Sequence, residues 1–335
     1  MGTVSLYTAE TRRLSKRRFT RFFVLIALIV LGLLAGGTAY THEKTTARTR
    51  AAAEAAADRA YQEQLGYAEQ ARQDCRKDPT SYGGNCDGIS PPTRDQISAE
   101  QFLTPPFDFR ADFPALVIAW AALLALVAFI IGASFVGAEW NSGGMMNLLL
   151  WRPQRLRVLS TKLSALLTWL AGLGVLSGAA WTGLFWLIAT LRGSTAGMTP
   201  GAWQSLGLTG LRGLGLVLMA GAIGFGAASI GRHTAAALGV AIGVIVIFQF
   251  GLAIVLELAR VRFYEAYLLP AWIGAWMVKS YDVVDYRAPC VYSATNSCEP
   301  PVLTITWQMA GGLFAAVSII IVGVAMWTIR KRDIT

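Results

Sequence analysis

The sequence predicts an all-α polytopic membrane protein with six transmembrane helices, cytoplasmic N- and C-termini, and a mostly helical extracytoplasmic insertion between helices 1 and 2. Of the 335 residues, 54% are hydrophobic and 15% are charged, whereas a soluble domain has about 25% charged residues. Six apolar stretches are long enough to cross a bilayer, which takes about 20 residues. The net charge is +9, and the charged residues lie at the edges of these stretches. This distribution orients helices in a bilayer and argues against nucleic-acid binding.

The six apolar stretches give the predicted spans. They are roughly Phe22–Tyr40, Phe113–Val136, Leu163–Leu191, Leu206–Ile230, Thr234–Leu258 and Leu303–Ile329. The chain has basic residues before the first span, between the second and third, and after the last. The positive-inside rule therefore predicts that these three regions are cytoplasmic. The basic start also resembles a signal peptide, but the apolar stretch that follows is long for one.

This topology divides the chain into five predicted regions. They are a cytoplasmic leader with the first helix at 1–40, an extracytoplasmic domain at 41–112, helices 2–5 at 113–258, an extracytoplasmic loop at 259–302, and the last helix with a basic tail at 303–335. Within the first extracytoplasmic domain, residues 43–74 are rich in Ala, Glu, Gln and Arg and lack proline. This composition predicts a long helix that can continue the first span.

The second extracytoplasmic segment contains the aromatic stretch YLLPAWIGAWMVKSY, which is too short to span. It is interrupted by Pro270 and Gly274. We expect an interfacial or re-entrant helix with Trp272 and Trp276 at the depth of the headgroups.

All four cysteines lie in the two segments predicted outside the cytoplasm, where disulfides persist. Two local bonds, Cys75–Cys86 and Cys290–Cys298, are the simplest of the three possible pairings. A zinc site is the competing interpretation, but neither pair has C-x-x-C spacing or a nearby histidine. We therefore predict two disulfides and no metal site.

The sequence offers no catalytic motif. It lacks the P-loop pattern G-x-x-x-x-G-K-[ST], so we expect no ATP hydrolysis and no cofactor on this chain. Glycine is abundant, and Gly32 with Gly36 and Gly239 with Gly243 make G-x-x-x-G pairs. Such pairs allow close helix packing, either within the chain or between subunits.

The connector at 137–162, GAEWNSGGMMNLLLWRPQRLRVLSTK, is unusually charged for a link between two spans. Helix-forming residues run from about Ser142 to Trp151, and Pro153 ends them. The tryptophans on either side of the Met/Leu stretch favour a short helix at the inner membrane surface. Glu139 has two interpretations, an ion pair with a nearby arginine or simple solvation.

The order of residues in this connector resembles the cytosolic connector of ABC transporter permeases of the type-2 exporter family. The similarity rests on a Gly and a Glu, a further Gly, a leucine-rich helix, a proline, an arginine, and a lysine that opens the next span. These are Gly137, Glu139, Gly143, Leu148 to Leu150, Pro153, Arg155 or Arg157, and Lys162. The large insertion between the first two spans departs from the simplest members of that family.

The resemblance implies a transport subunit that works with a separate ABC ATPase, which holds ATP and Mg, and with a second permease subunit, identical or different. The residues expected to couple to the ATPase are Glu139, Trp140, Gly143, Met145, Met146, Leu149, Trp151, Arg152, Arg155 and Arg157. The residues expected to line the substrate path, at the dimer interface between spans two and five, are Trp120, Phe129, Phe135, Phe248, Gln249 and Phe250.

The expected activity is export of an apolar or amphipathic substrate, such as a lipid, drug, antibiotic or peptide, across a bacterial-type plasma membrane. A stand-alone membrane sensor or scaffold with an extracytoplasmic recognition domain is the alternative. A channel is disfavoured because the sequence has no ring of charges and no filter-like segment.

Overall fold

The computed structural model describes residues 3–82, 85–145, 154–288, 291–292 and 298–331. Its helices are α1 (Thr3–Lys16), α2 (Arg18–Thr41), α3 (Ala47–Lys77), α4 (Phe109–Asn141), α5 (Arg155–Arg192), α6 (Pro200–Gly231), α7 (Thr234–Leu258), α8 (Leu269–Val278) and α9 (Trp307–Lys331). Within these described ranges, six helices are long and apolar enough to cross a membrane, namely α2, α4, α5, α6, α7 and α9. The predicted number of spans is therefore confirmed.

Local chemistry explains where these helices begin, end and change geometry. Thr199 caps the start of α6, because its side chain accepts a hydrogen bond from the Ala202 amide, and Pro200 occupies the first turn. Arg232 ends this helix in the left-handed conformation, with φ of 53°. The helix α7 is α-helical except for a π-helical segment, Ile245–Gly251. Such segments are rare and are frequent at functional sites.

Short strands were not predicted, and they modify the all-α interpretation. The strand β1 (Phe107–Asp108) pairs in parallel with β2 (Gly193–Ser194). The longest pairing is antiparallel, between β3 (Ser280–Val284) and β6 (Val302–Thr306), with Ser280 opposite Thr306. Between them, β4 (Val291–Tyr292) pairs with β5 (Cys298–Glu299).

The hairpin formed by β3 and β6 moves the start of the last span. The sequence predicted that this span begins at Leu303, but Leu303–Thr306 belong to β6, and α9 begins at Trp307. Four of the five residues in the segment VLTIT are β-branched, a composition that favours a strand. Hydropathy alone does not separate it from the helix that follows.

The chain divides into two compact units. The first comprises residues 1–33, 113–183 and 199–335. Its helices approach through glycines: a β-carbon at Gly224 would collide with the carbonyl oxygen of Phe129 on α4. One at Gly226 would lie 2.7 Å from Ile321 on α9. Small residues at these positions therefore allow α6 to contact both neighbours closely.

The second unit comprises residues 34–112 and 184–198. A capping box formed by Thr46 and Thr49 begins α3, so the prediction that this helix continues the first span is wrong. The helix α2 ends at Thr41, and the capped start of α3 satisfies amide groups that a continuous helix would have bonded internally. A disulfide joins Cys75 to Cys86, with 5.7 Å between their α-carbons.

That bond is the first of the two predicted disulfides. The second pair lies outside the described residues, because Cys290 and the side chain of Cys298 are not described.

The helix α8 occupies the stretch that was expected to be interfacial. The indole of Trp276 donates a hydrogen bond of 2.8 Å to the carbonyl of Arg212 on α6, and its ring lies against Gly311 on α9. The Trp272 indole bonds to the carbonyl of Ala266 at 2.8 Å. Both tryptophans therefore hold α8 within the first unit, and their depth in a membrane stays a prediction.

Candidate coupling site

The second span ends inside the connector that the sequence singled out. The last turn of α4 continues to Asn141, and the amide of Ser142 still donates to the carbonyl of Ala138 at 3.1 Å. Gly143 then takes a φ of +71°, the left-handed conformation that commonly ends a helix. The expected helix start at Ser142 is therefore wrong by two residues, since Gly144 and Met145 are the first helical residues after the turn.

Four of the predicted coupling residues, Met146, Leu149, Trp151 and Arg152, lie outside the described residues. The described part of the connector resumes at Gln154, just before α5.

A cluster of charged side chains joins the two ends of this connector. Lys162 on α5 has its Nζ 2.8 Å from Oε2 of Glu139 on α4 and 2.8 Å from Oε1 of Glu10 on α1. Arg13 adds a third ion pair, with 3.0 Å between its Nη1 and Oε1 of Glu139. We call Glu10, Arg13, Glu139 and Lys162 the ion cluster. The predicted ion pair of Glu139 thus exists, and the partners that the described residues show are Lys162 and, from the basic leader, Arg13.

Burial makes this cluster unusual. The Lys162 side chain is 0% exposed, that of Glu10 is 4% exposed and that of Glu139 is 6% exposed, while Arg13 is 57% exposed. Charged groups are rarely buried so completely unless they are paired, because removal from water costs several kcal/mol per ion. The three buried groups therefore depend on one another.

The helix α1 was missed in the sequence, where its residues were treated only as a basic leader. It buries Leu6, Glu10 and Leu14, which are spaced four residues apart and share one helical face. This spacing was the available signal. It was obscured because the middle position of the stripe is a glutamate, which an apolar pattern search rejects.

Phe135 on α4 is close to two cations, Lys162 of the ion cluster and Arg17. The Nζ of Lys162 is 5.2 Å from the ring centroid, and Cζ of Arg17 is 5.8 Å from it. Arg17, between α1 and α2, also donates to the Ser134 carbonyl at 3.2 Å. Burial lowers the pKa of Arg17, and the nearby Glu139 acts in the opposite direction. Arg17 therefore joins the residue directly before α2 to the end of α4, next to the ion cluster.

Three other residues of the connector, Trp140, Arg157 and Gly137, have contacts that do not involve the ion cluster. The Trp140 ring lies 5.0 Å from Cζ of Arg232, in the turn between α6 and α7. Arg157 is exposed and donates to the Gln154 side chain at 2.7 Å. A β-carbon at Gly137 would lie 2.6 Å from the amide nitrogen of Thr234, so the end of α4 also packs closely on the start of α7.

A comparison with protein families identifies the class of this chain. Residues 10–289 match the model of the family described as ABC-2 family transporter protein. The match covers most of the chain and includes the ion cluster, the connector and five of the six candidate spans. The chain belongs to the ABC-2 transporter family. No curated protein matches the sequence.

Membership in the ABC-2 family confirms the resemblance found in the connector. Proteins of this family are the membrane subunits of transporters and normally work with an ABC ATPase partner. Within the part of the chain that the structure describes, no group of three or more His, Cys, Asp or Glu side chains is placed to hold a metal ion.

The predicted path residues of this ABC-2 protein do not gather at one place in a single chain. Trp120 and Phe135 are buried, and the Trp120 indole donates to the Ser177 hydroxyl at 3.2 Å. Phe129 is half-buried on α4, where its carbonyl faces Gly224. Phe248 and Phe250 are exposed on α7.

Gln249 on the π-helical segment has a specific contact. Its side-chain oxygen accepts a hydrogen bond of 3.0 Å from the amide of Leu269, the first residue of α8. That amide has no partner within the helix, so Gln249 caps α8.

Proposed function

We propose that this chain is the permease subunit of an ABC exporter, which moves an apolar or amphipathic substrate across the cell membrane. ATP with Mg would be bound and hydrolysed on a separate ATPase subunit. The observation that carries the proposal is the buried ion cluster, which joins both ends of the connector in a protein of the ABC-2 family.

The cluster supplies a physical route for coupling. Glu139 lies in the last turn of α4, and Lys162 lies about two turns into α5. Their ion pair fixes the two helices to each other beside the connector. A displacement of the connector by a bound ATPase would therefore move α4 and α5 together as a rigid body. Such a displacement does work only if the ATPase binds one arrangement more tightly than the other.

The same cluster extends the route to the N-terminal helices. Glu10 and Arg13 attach α1 to the connector ends, and Arg17 follows directly before α2. The resemblance in the sequence implies that the coupling residues Arg155 and Arg157 contact the ATPase, whereas Met145, also expected to do so, is fully buried within the chain. In this proposal the two arginines receive the displacement, and the ion cluster distributes it to α2, α4 and α5.

Orientation follows from the same proposal. The connector and the basic ends of the chain would face the cytoplasm, where the ATPase is. The insertion at 41–112 would then lie outside, and its disulfide between Cys75 and Cys86 supports that side because disulfides persist in oxidising compartments.

A second permease subunit would cover the N-terminal part of α7, where Gly239 and Gly243 lie. None of the most apolar window of this helix is buried in the chain, and a β-carbon at Gly239 or Gly243 would meet no described atom within 4 Å. The open space at these glycines therefore favours contact between subunits over packing within the chain. Phe248 and Phe250 would then face the space between two permeases, where an apolar substrate can pass.

The test is to co-purify the chain with its native ATPase and to measure substrate-stimulated ATP hydrolysis. We expect an ATPase subunit in equal amount to the permease. Arg157→Glu and Arg155→Glu should lower stimulated hydrolysis at least tenfold, because each reverses a charge of the connector, a loss of about 1.4 kcal/mol. Removal of residues 145–149 should abolish the stimulation.

The matched control is Arg330→Glu, an exposed arginine in the last turn of α9. This substitution makes the same change of charge as Arg155→Glu and Arg157→Glu, on the same proposed side of the membrane. Stimulated hydrolysis should stay within twofold of that of the unmodified protein, a difference of about 0.4 kcal/mol. Absence of an associated ATPase would contradict the proposal and favour the stand-alone sensor.

A further inference from the structure

A large pocket lies beside the C-terminal end of α7, away from the ion cluster. Its volume is about 1240 Å³, and it is lined by α7, the turn that follows and the β3–β6 hairpin. Ligand pockets usually have volumes of about 300–1,000 Å³. The pocket is therefore large enough for a headgroup together with part of a chain.

The charged residues that line this pocket divide into those that form an ion pair and those that do not. Asp285 and Glu257 are each paired, with 3.3 Å from Nε of Arg262 to Asp285 and 2.9 Å from Nη2 of Arg287 to Glu257. The other two charged lining residues are Arg260 and Glu265. Among the described residues, neither of these two side chains has an ion pair. The pocket thus presents one cation and one anion that remain available to a ligand.

The backbone holds these groups in a defined turn. Arg260 and Phe263 both have a φ of 52°, in the left-handed region that non-glycine residues rarely adopt. Such a conformation persists only where the surrounding structure enforces it, and it is frequent at ligand sites. The turn reverses the chain after α7 and places Arg260 and Glu265 on the same pocket.

An apolar stripe leads to the pocket along α7. Ile254 and Leu258 line it and are 58% and 79% exposed. These two residues are spaced four apart in the α-helical end of α7, so they share one face of the helix over about 6 Å. A ligand with both an apolar chain and a charged headgroup matches this combination.

We propose that this pocket binds the headgroup of a zwitterionic amphiphile, whose anionic group faces Arg260, whose cationic group faces Glu265, and whose apolar chain lies on α7. The closest chemical match is a phospholipid that carries phosphate and an ammonium group. Binding at this pocket needs neither the ATPase nor nucleotide. The use of the pocket in transport would rest on the proposed export function.

The test is photo-crosslinking in proteoliposomes of the full chain, without ATPase and without nucleotide. The two probes are photoactivatable phosphatidylethanolamine, which is zwitterionic, and photoactivatable phosphatidylglycerol, which is anionic. We expect the peptide of residues 254–265 to be labelled about threefold more by the zwitterionic probe, the size expected for one exposed ion pair. Equal labelling by the two probes would overturn the proposal.

Three variants test the roles of the charges. Arg260→Gln should lower labelling by both probes, while Glu265→Gln should remove the preference for the zwitterionic probe. Lys279→Gln is the matched control, because Lys279 is an exposed cation nearby that does not line the pocket, and it should leave labelling unchanged. A preference that survives Glu265→Gln would contradict the assignment.

A competitor distinguishes a lipid from a soluble zwitterion. Water-soluble phosphoethanolamine, added at the concentration of the lipid probe, should leave labelling intact because it lacks the chain that contacts α7. Displacement by this competitor would overturn the claim that the ligand is an amphiphile. Because nucleotide and ATPase are absent, these results are independent of whether the chain is an exporter.

Discussion

Two groups of ion pairs in the first unit consist of the same kinds of residue but differ in burial. In the ion cluster, Lys162 is 0% exposed between two carboxylates. At the pocket beside α7, Arg262 and Arg287 are 65% and 53% exposed while they pair with single carboxylates. The comparison shows that the identity of the charged residues does not determine their role.

The difference in exposure to water determines how much stability each ion pair contributes. Loss of one partner from a buried pair costs about 3–5 kcal/mol because it leaves an uncompensated charge, whereas an exposed pair contributes about 0–1 kcal/mol. The ion cluster can therefore fix helices in one arrangement. The Arg287–Glu257 pair at the pocket, whose side chains are both about half exposed, can exchange its partners for water or for a ligand at little cost.

The largest expected effect is that of Lys162→Met. This change leaves Glu10 and Glu139 buried without their shared cation, so the free energy of unfolding should fall by about 3–5 kcal/mol. Reversible unfolding in bicelles measures it. Lys331→Met, which changes an exposed lysine in α9, is the control and should shift the value by less than about 0.5 kcal/mol.

A combined variant separates charge burial from packing. Glu10→Gln, Glu139→Gln and Lys162→Met together remove all three buried charges, so most of the stability lost in Lys162→Met should return. If the combined variant is as unstable as Lys162→Met alone, the cluster stabilises the fold through packing and the comparison fails.

A smaller effect is expected for Glu139→Gln. Lys162 keeps Glu10, and Arg13 is more than half exposed and can be hydrated, so only part of the network is lost. The free energy of unfolding should fall by about 1–3 kcal/mol. A loss equal to that of Lys162→Met would show that Glu10 contributes nothing to the pairing.

Arg13→Ala tests whether exposure matters within the cluster itself. Arg13 is 57% exposed, like the arginines of the pocket, and Glu139 keeps Lys162 when Arg13 is removed. We expect a loss below about 1 kcal/mol, comparable to an exposed pair. A loss near that of Lys162→Met, in the same unfolding assay, would mean that position in the network outweighs exposure.

The smallest effect is expected at the pocket. Arg287→Ala removes an ion pair whose two side chains are both about half exposed, so stability should change by less than about 0.5 kcal/mol. Thermal unfolding of this variant beside Arg13→Ala gives the comparison. A loss of several kcal/mol would assign a structural role to the exposed pairs.

The sequence allowed the spans to be predicted well because each depends on a local average of hydropathy. The six predicted spans match helices, and the start and end of α7 are as predicted. The beginning of α9 was missed because β6 is as apolar as the helix. Strand pairing with β3, whose residues lie about 18 to 26 positions earlier, decides its conformation, and no local window contains that information.

The candidate site was predicted only in part. The connector and the importance of Glu139 were identified, but its partners were sought among neighbouring arginines. The actual partners are Lys162, which was treated as the start of a span, and Arg13 in the basic leader. Arg13 lies more than a hundred positions before Glu139, and its proximity to Glu139 is set by tertiary packing, which composition and spacing do not reveal.

The central claim is that the ion cluster passes movement of the connector to the spanning helices. The most direct test is transport by the combined neutral variant, reconstituted with its ATPase in proteoliposomes. We predict that it folds, binds the ATPase and hydrolyses ATP at the basal rate, but that transport per ATP falls at least tenfold, about 1.4 kcal/mol of lost coupling. Transport per ATP equal to that of the unmodified protein would contradict the account.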